Sequence, residues 1–170
     1  MVNLKNTFYA LSAIAFIVSS VVCSAETQIG LTSFKIDPNA EIEITADSMT
    51  FNSETNVTEF FDGVVVIYGQ LKLTAKALKI SQTNEPGTTK NIELDASGPI
   101  AISNNKSFII GDRAVFNKEN QELKIIGNVN LSQEGNIISG EELILNLKDG
   151  IAKIKGSVKT ILGPIRKTKK

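Results

Sequence analysis

The acidic side chains at repeated positions are the residues of this chain with the clearest potential for chemistry. Asp47 and Asp112 each follow a small residue in a similar sequence context, and two carboxylates can share acid–base work. Lys76 and Glu141 occupy the same repeated position, however, so solubility of a strand surface explains the charges better. The chain also has no histidine and a single cysteine, which excludes a Ser–His–Asp triad and Cys/His zinc sites. We therefore expect no catalytic residues, no metal site, no cofactor and no enzymatic activity.

Composition narrows the class of protein further. The 170 residues include 18 basic and 18 acidic side chains, so the formal net charge is zero. A general nucleic-acid binder carries a basic excess, and we expect no nucleic-acid partner. A hydrophobic content of 42% is too high for a disordered chain. These numbers favour a β-rich binding or structural domain.

Residues 1–25 have the pattern of an export signal. Lys5 supplies the positive start, Phe8 to Val22 is apolar or small, and Cys23-Ser24-Ala25 is a small-x-small cleavage site. We expect cleavage after Ala25, which places the mature chain in the periplasm and removes the only cysteine. An uncleaved membrane anchor is the alternative, although the apolar run is shorter than the ~20 residues of a spanning helix. Acylation of Cys23 is a weaker alternative, because Val22 stands where a small residue is wanted.

The rest of the chain alternates apolar and polar residues, which predicts strands with one buried face. Two strand patterns recur. The first contains a small residue, then a charge, then apolar residues three and five positions after the small one; it begins at Ala46, Ala75, Gly111 and Gly140. The second is centred on Gly63, Gly98, Gly127 and Gly156. Apart from one loop insertion at Gln82 to Lys90, the unit is 29 residues long and occurs four times.

Aligning the units predicts the side chains that face the interior. In the first pattern these stand two before, three after and five after the small residue; in the second they stand two before and two after the glycine. All twenty such positions are apolar. The candidate interior and lipid-binding residues among them are Ile44, Met49, Phe51, Phe61, Val65, Leu73, Leu78, Ile100, Phe116, Ile125, Val129 and Leu143.

In the first pattern, the interior position before the small residue lies at an even offset from it, whereas the two after it lie at odd offsets. A bulge or kink in the strand would produce this change of parity. We therefore predict an all-β fold of about eight long bent strands, or up to sixteen short ones. The shape would be a curled antiparallel sheet or a flattened jelly roll with an apolar interior. A solenoid-like array with open ends fits the repeat equally well.

Two stretches carry a resemblance to a known family. Ile44-Thr-Ala-Asp-Ser-Met-Thr-Phe51, followed by Phe61-Asp-Gly-Val-Val-Val-Ile-Tyr-Gly-Gln-Leu-Lys-Leu-Thr-Ala75, resembles the opening of the OstA-type lipopolysaccharide-transport family. That family has an "I-x-A-D" strand, an "F-x-G-x-V" strand, a glycine and then a second "A-D" box. Here the second box reads Ala75-Lys76, so a base replaces the usual acid. The resemblance covers roughly Ala40 to Leu162 and is closest to the soluble periplasmic member of the family.

The resemblance implies a slightly open β-jelly-roll over residues 40–162, preceded by an N-terminal arm (26–39) and followed by a basic flexible tail (163–170). It implies a bridge that carries lipopolysaccharide from an inner-membrane export complex to an outer-membrane translocon, with acyl chains in the groove. Such proteins join these partners, or copies of themselves head to tail, by adding terminal strands. Glu41 to Ala46 and Ile151 to Leu162 would be the two edges.

Within the groove, Phe51, Phe61 and Phe116 are the residues we expect to contact lipid. Three other interpretations remain open at this point. The interior could be an ordinary closed core. The chain could be the membrane-anchored relative in the same pathway, which keeps its N-terminal helix. It could also be a structural β-repeat domain without a lipid ligand.

Overall fold

A computed structural model describes residues 27–31, 34–83 and 91–163. The predicted export signal (1–25), most of the predicted loop insertion (84–90) and the tail from 164 onward lie outside the described residues. The described part is built from β-strands, as the alternation predicts.

Among the described residues, eleven strands form one antiparallel sheet. Its spatial order is β1-β10-β9-β8-β7-β6-β5-β4-β2; β3 also pairs with β4, and β11 with β9. Consecutive strands from β4 to β10 are therefore neighbours. Their bounds are β1 Thr27–Gly30, β2 Ile42–Thr45, β3 Ser48–Asn52, β4 Val57–Tyr68, β5 Leu71–Thr83, β6 Asn91–Ser103, β7 Ser107–Asn117, β8 Glu122–Gln133, β9 Asn136–Asn146, β10 Ile151–Lys155 and β11 Lys159–Ile161.

Asparagine side chains close several of the turns between these strands. The Oδ1 atoms of Asn52, Asn104, Asn117 and Asn146 each accept backbone N–H groups two and three residues later, at 2.8–3.3 Å. Such bonds stabilise a tight reversal without help from the rest of the fold.

The predicted change of parity is confirmed. The register shifts at one point within each pairing from β4–β5 to β8–β9, for example between Ile110 and Arg113 where β7 pairs with β8. In the first unit the strand is interrupted there, because Ala46 and Asp47 separate β2 from β3. The last strand is likewise interrupted between β10 and β11. The sheet therefore consists of eight long bent strands, or sixteen half-strands, together with β1.

The bends divide the sheet into two halves that face each other. Half-sheet A contains β2, β11 and the segments 64–75, 100–111 and 129–140. Half-sheet B contains β3, β10, β1 and the segments 57–61, 77–83, 91–97, 113–117, 122–126 and 142–146. Tyr68 of half-sheet A and Phe116 of half-sheet B lie with ring centroids 5.5 Å apart, although β5 and β6 separate their strands within the sheet. The apolar core fills the space between the halves.

The N-terminal arm completes this core. Leu31 and Phe34 have no exposed surface, and Ile36 is also buried, whereas Lys35 points to solvent. The backbone N–H groups of Leu31 and Ile36 donate to the carbonyl oxygens of Gly150 (2.6 Å) and Leu147 (3.0 Å). The arm therefore packs against the β9–β10 turn before it reaches β2.

The arm also changes one predicted edge. Residues Ile151 to Leu162 were expected to end the sheet, but β1 pairs with β10, from Thr27 opposite Ile154 to Gly30 opposite Ile151. The prediction is therefore wrong for β10. The backbone groups on the outer side of β10 need partners, and the arm supplies them. Within the described ranges, β11 pairs only with β9, and β2 and β3 pair only with β4.

Candidate functional site

The two aspartates that could act as paired carboxylates lie in different parts of the sheet. Asp47 stands between β2 and β3, whereas Asp112 lies on β7, with β4, β5 and β6 between them. Asp112 accepts a hydrogen bond from Asn128 Nδ2 at 2.8 Å, which is a contact between neighbouring strands. In the described ranges, no group of three or more His, Cys, Asp or Glu side chains is placed to hold a metal ion. Asp47 and Asp112 therefore do not form one site, and the apolar interior is the candidate functional site.

The structure places ten of the twelve candidate residues on the inner face of the sheet. Leu78, Ile100, Phe116, Ile125, Val129 and Leu143 are buried. Ile44 and Leu73 are partly buried against the same core. Met49 and Phe51 belong to the inner face by strand pairing, but they are 58% and 60% exposed. Whether any of these residues binds lipid stays a prediction.

Phe61 and Val65 are corrections, because they lie on the outer face. Val64 pairs with Ala75 as Ile100 pairs with Gly111 in the second unit, so the inner residue is Val64 rather than Val65. The same shift puts Phe60, opposite the buried Leu78, on the inner face. The cause is the position of the bend. The backbone already has a positive φ at Asp62 (57°), one residue before Gly63, whereas in the later units positive φ begins at Gly127 and Gly156. Phe60 and Phe61 are both apolar, and so are Val64 and Val65, so the sequence alone does not show which member of each pair faces inward.

Rows of paired residues across half-sheet B show that the interior is closed at one end and open at the other. One row runs from Met49 through Phe60, Leu78, Ala96, Ala114, Ile125 and Leu143 to Ile154. A second row runs from Phe51 through Thr58, Ile80, Leu94, Phe116, Leu123 and Leu145 to Ala152.

Exposure falls along both rows. Met49 and Phe51 start them more than half exposed, whereas Ile154 and Ala152 end them with no exposed surface. The β3 end is open because half-sheet A and the arm do not cover these two side chains. An apolar surface that begins at an open edge and continues into the core can accept an apolar chain from that edge.

A cavity of about 50 Å³ lies between the two half-sheets, where this surface enters the core. Its walls come from both halves and include Ile42, Val66, Leu73, Leu78, Ala96 and Phe116. This volume is about a third of the ~150 Å³ of an engineered cavity that binds one benzene molecule, so an acyl chain needs more room than the cavity has. A guest would have to part the half-sheets or remain near the β3 edge.

One polar pair is built into the wall beside this cavity. The Tyr68 hydroxyl donates to Gln121 Oε1 at 3.1 Å, and Gln121 Nε2 donates to the Lys118 carbonyl oxygen at 2.7 Å. Burial raises the pKa of Tyr68 above its usual value, and the negative charge of Asp37 adds to this shift. The pair ties β4 to the β7–β8 turn and so holds the two half-sheets together.

Sequence reasoning did not predict this pair or the three apolar residues of the arm. Leu31, Phe34 and Ile36 carry a weak signal, since Phe34 and Ile36 flank Lys35 in strand-like alternation. The Tyr68–Gln121 contact has no local signal, because its two residues are 53 positions apart.

Comparison with known proteins agrees with this geometry. A family described as "LptA/(LptD N-terminal domain) LPS transport protein" matches residues 43–151. No curated protein matches the chain. We also found no helix among the described residues with the length and apolarity that crossing a bilayer requires.

A solved structure shares the fold. It is LptH from Pseudomonas aeruginosa, described as the LptA homologous periplasmic component of the conserved lipopolysaccharide transport device. The match has a TM-score of 0.65 and 18% sequence identity, and it covers 75% of this chain and 99% of that chain. The shared architecture is the open, bent antiparallel sheet described above.

Proposed function

Because the chain belongs to the LptA/(LptD N-terminal domain) family of lipopolysaccharide transport proteins, we propose that it is a periplasmic bridge. It binds lipopolysaccharide and passes it from an inner-membrane export complex to an outer-membrane translocon. The observation that carries this proposal is the inner face, which is apolar from the exposed Met49 through Phe60 to the buried Leu78, with the exposed Phe51 beside this row.

The energetic reason is the shielding of acyl chains from water. Each buried CH₂ group contributes about 0.8 kcal/mol, so a lipid with several chains needs a long apolar surface. Met49, Phe51 and Phe60 offer such a surface at the β3 edge, and the buried rows continue it. These side chains bind by contact alone and impose no single pose, which suits a ligand that moves along the groove.

The edges of the sheet supply the means of assembly. β2 and β3 pair on one side only among the described residues, and so does β11. An unpaired strand edge can receive a strand from another chain through backbone hydrogen bonds. We propose that the two membrane complexes, or a second copy of this chain, add strands at these edges. Since β1 covers β10, the partner at the C-terminal end would pair with β11 or displace β1.

The two ends differ in a way that suits this assembly. At the β3 edge the inner face is open, so a strand added there would extend the exposed row that Met49 and Phe51 begin. The inner face of one protein would then continue into the next. At the other end the groove is closed around Leu143 and Ile154, which have no exposed surface.

Photocrosslinking from a probe amino acid tests the proposal. The probe replaces Phe51 on the inner face, Thr50 on the adjacent outer position, or Phe116 in the closed part, in cells that make lipopolysaccharide. We expect a crosslink to lipopolysaccharide from position 51 and none from position 50. A crosslink from position 116 would show that the half-sheets part along the transport path. Equal labelling at 50 and 51, or no labelling of a folded and exported chain, would favour a structural β-repeat domain.

Intact-mass analysis of the exported protein separates the soluble bridge from the anchored relative. Loss of residues 1–25 is the expected result. Retention of these residues would assign the chain to the anchored component of the same pathway.

A further inference from the structure

The two half-sheets are joined at the bends, and their turns meet on the opposite side. We name the gap between these turns the mouth of the interior. It lies between the β4–β5 turn of half-sheet A and the β7–β8 and β9–β10 turns of half-sheet B. Three residues in or beside these turns also line the cavity: Tyr68, Leu123 and Leu147. A guest that parts the half-sheets widens the mouth, because the bends hold the other side.

Part of the N-terminal arm lies across the mouth. We name residues 34–40 the strap; they lie between β1 on half-sheet B and β2 on half-sheet A. Ile36 donates its backbone N–H to the Leu147 carbonyl oxygen at 3.0 Å, in the β9–β10 turn. A Cβ atom added at Gly69, in the β4–β5 turn, would lie 3.2 Å from Ile36 Cγ2. One residue of the strap therefore touches both sides of the mouth.

Burial of apolar side chains holds the strap in place. Phe34 has no exposed surface, and Ile36 is also buried. The side-chain contact from Gln70 Nε2 to the Lys35 carbonyl oxygen is long, at 3.4 Å, and therefore weak. A chain of CH₂ groups can replace two buried apolar side chains like for like, because the hydrophobic effect depends on buried area and has no preferred direction.

The strap can leave the mouth without disturbing β2. Asp37 closes a local turn, in which its Oδ1 accepts the N–H of Asn39 and its carbonyl oxygen accepts the N–H of Ala40, both at 2.9 Å. These bonds do not depend on either half-sheet, so the turn persists when Phe34 and Ile36 move. Among the described residues, no strand lies between β1 and β2. Movement of Phe34 and Ile36 therefore breaks no strand pairing.

We propose that the strap is an autoinhibitory closure of the groove, and that an acyl chain entering between the half-sheets takes the place of Phe34 and Ile36. This inference rests on the proposed function, because the occupant is an acyl chain of the same ligand. The cavity of about 50 Å³ belongs to the closed state. Displacement of the strap lets the turns part and gives the chain room.

The proposal has a thermodynamic signature. The closed strap and the bound acyl chain exclude each other, so lipid binding has to displace the strap. A variant with a weaker strap should therefore be less stable without lipid and yet bind lipid more tightly. A strap that only completes the core would lose stability with no gain in affinity.

Amide hydrogen exchange of the exported protein tests the displacement directly. The probe is dodecanoate, a single acyl chain, used below its micelle concentration. The Ile36 amide donates across the mouth, whereas the Leu147 amide donates to the Gln121 carbonyl oxygen at 2.8 Å within half-sheet B and serves as the internal control. Saturating dodecanoate should raise the exchange rate at Ile36 at least about tenfold and should not raise it at Leu147. Unchanged or slower exchange at Ile36 in the lipid-bound protein would overturn the proposal.

Phe34→Ala tests the signature. Its affinity for dodecanoate should rise at least about tenfold, although its melting temperature falls. Leu131→Ala is the matched control, since Leu131 also has no exposed surface but lies on β8, outside the cavity wall. It should lower the melting temperature with no gain in affinity. Phe34→Leu serves in place of Phe34→Ala if the alanine variant does not fold.

Two results of this comparison would overturn the proposal. The first is an equal gain in affinity for Leu131→Ala, which would assign the effect to any cavity in the core. The second is no gain in a folded variant at position 34, including no binding of dodecanoate by either that variant or the native protein.

The bridge function and the strap can fail separately. A crosslink from position 51 to lipopolysaccharide, together with an Ile36 amide that stays protected, would keep the bridge and remove the strap. Displacement of the strap by dodecanoate, without a crosslink in cells, would keep the strap and remove the bridge.

Discussion

The carboxylate of Asp112 lies against the backbone of Gly127 on the neighbouring strand, so closely that a Cβ atom at Gly127 would overlap it. Asn128 then donates its side-chain N–H to the same carboxylate at 2.8 Å. The relationship recurs in other units. Glu141 lies against Gly156 and receives a hydrogen bond from Ser157 at 3.3 Å, and the base Lys76 lies against Gly98. The repeated charged residue therefore packs on the bend of the next strand, which explains why both acids and a base occur at this position.

A methyl group at Gly127 should destabilise the fold. Gly127 has a φ of 79°, which costs a residue with a side chain about 1–3 kcal/mol, and the overlap with Asp112 adds a similar cost. We expect Gly127→Ala to lower the free energy of unfolding by about 3 kcal/mol, measured by urea denaturation. Gly135→Ala is the matched control, since its φ is 86° but nothing lies within 4 Å of the added methyl. Equal losses for both variants would show that the contact with Asp112 is unimportant.

Stability above pH 10 should depend on Tyr68. Its pKa is raised in the folded protein, mainly by burial, so the unfolded chain loses this proton first. Between the two pKa values the folded state binds more protons, and the free energy of unfolding falls as pH rises. Tyr68→Phe should remove this part of the alkaline loss, and at neutral pH it should cost about 1 kcal/mol for the hydrogen bond to Gln121.

The same group can be titrated directly. The chain has two tyrosines, and the other, Tyr9, lies in the predicted export signal. Near-ultraviolet absorbance of the mature protein would then report Tyr68 alone. A titration midpoint at the pKa of free tyrosine would contradict the prediction.

The N-terminal arm should contribute strongly to stability. Phe34 has no exposed surface, and truncating a fully buried phenylalanine to alanine typically costs about 3–5 kcal/mol. We expect Phe34→Ala to lower the thermal midpoint markedly. Lys35→Ala, at the exposed neighbouring position, should change the free energy of unfolding by less than about 0.5 kcal/mol. A small effect of Phe34→Ala would mean that the arm is not docked in solution.

The register of β4 can be checked with two adjacent phenylalanines. Phe60 packs against the core, whereas Phe61 faces outward. Phe60→Ser should cost about 2 kcal/mol, since part of a large apolar side chain leaves the core, and Phe61→Ser should cost under about 1 kcal/mol. The reverse order of the two losses, measured by urea denaturation, would restore the register expected from the sequence.

Local patterns in the sequence were sufficient for the fold class, the four units and the bends. Period-two alternation indicates which face of a strand is buried, and the change of parity at Ala75, Gly111 and Gly140 indicates a bulge. Both features can be read from the sequence because each depends only on residues that are neighbours along the chain. The same reasoning located ten of the twelve candidate residues on the inner face. It failed at Phe61 and Val65, where adjacent apolar residues satisfy two registers and only pairing with β5 selects one.

Tertiary structure decided everything that depends on distant parts of the chain. The docking of Phe34, the pairing of β1 with β10 and the Tyr68–Gln121 hydrogen bond join residues with no local signal for one another. The open edge at Met49 and Phe51 and the exposure of Phe108 follow from which surfaces the folded sheet leaves uncovered. Alternation in a strand determines that two faces differ; only the folding of the sheet determines what each face meets.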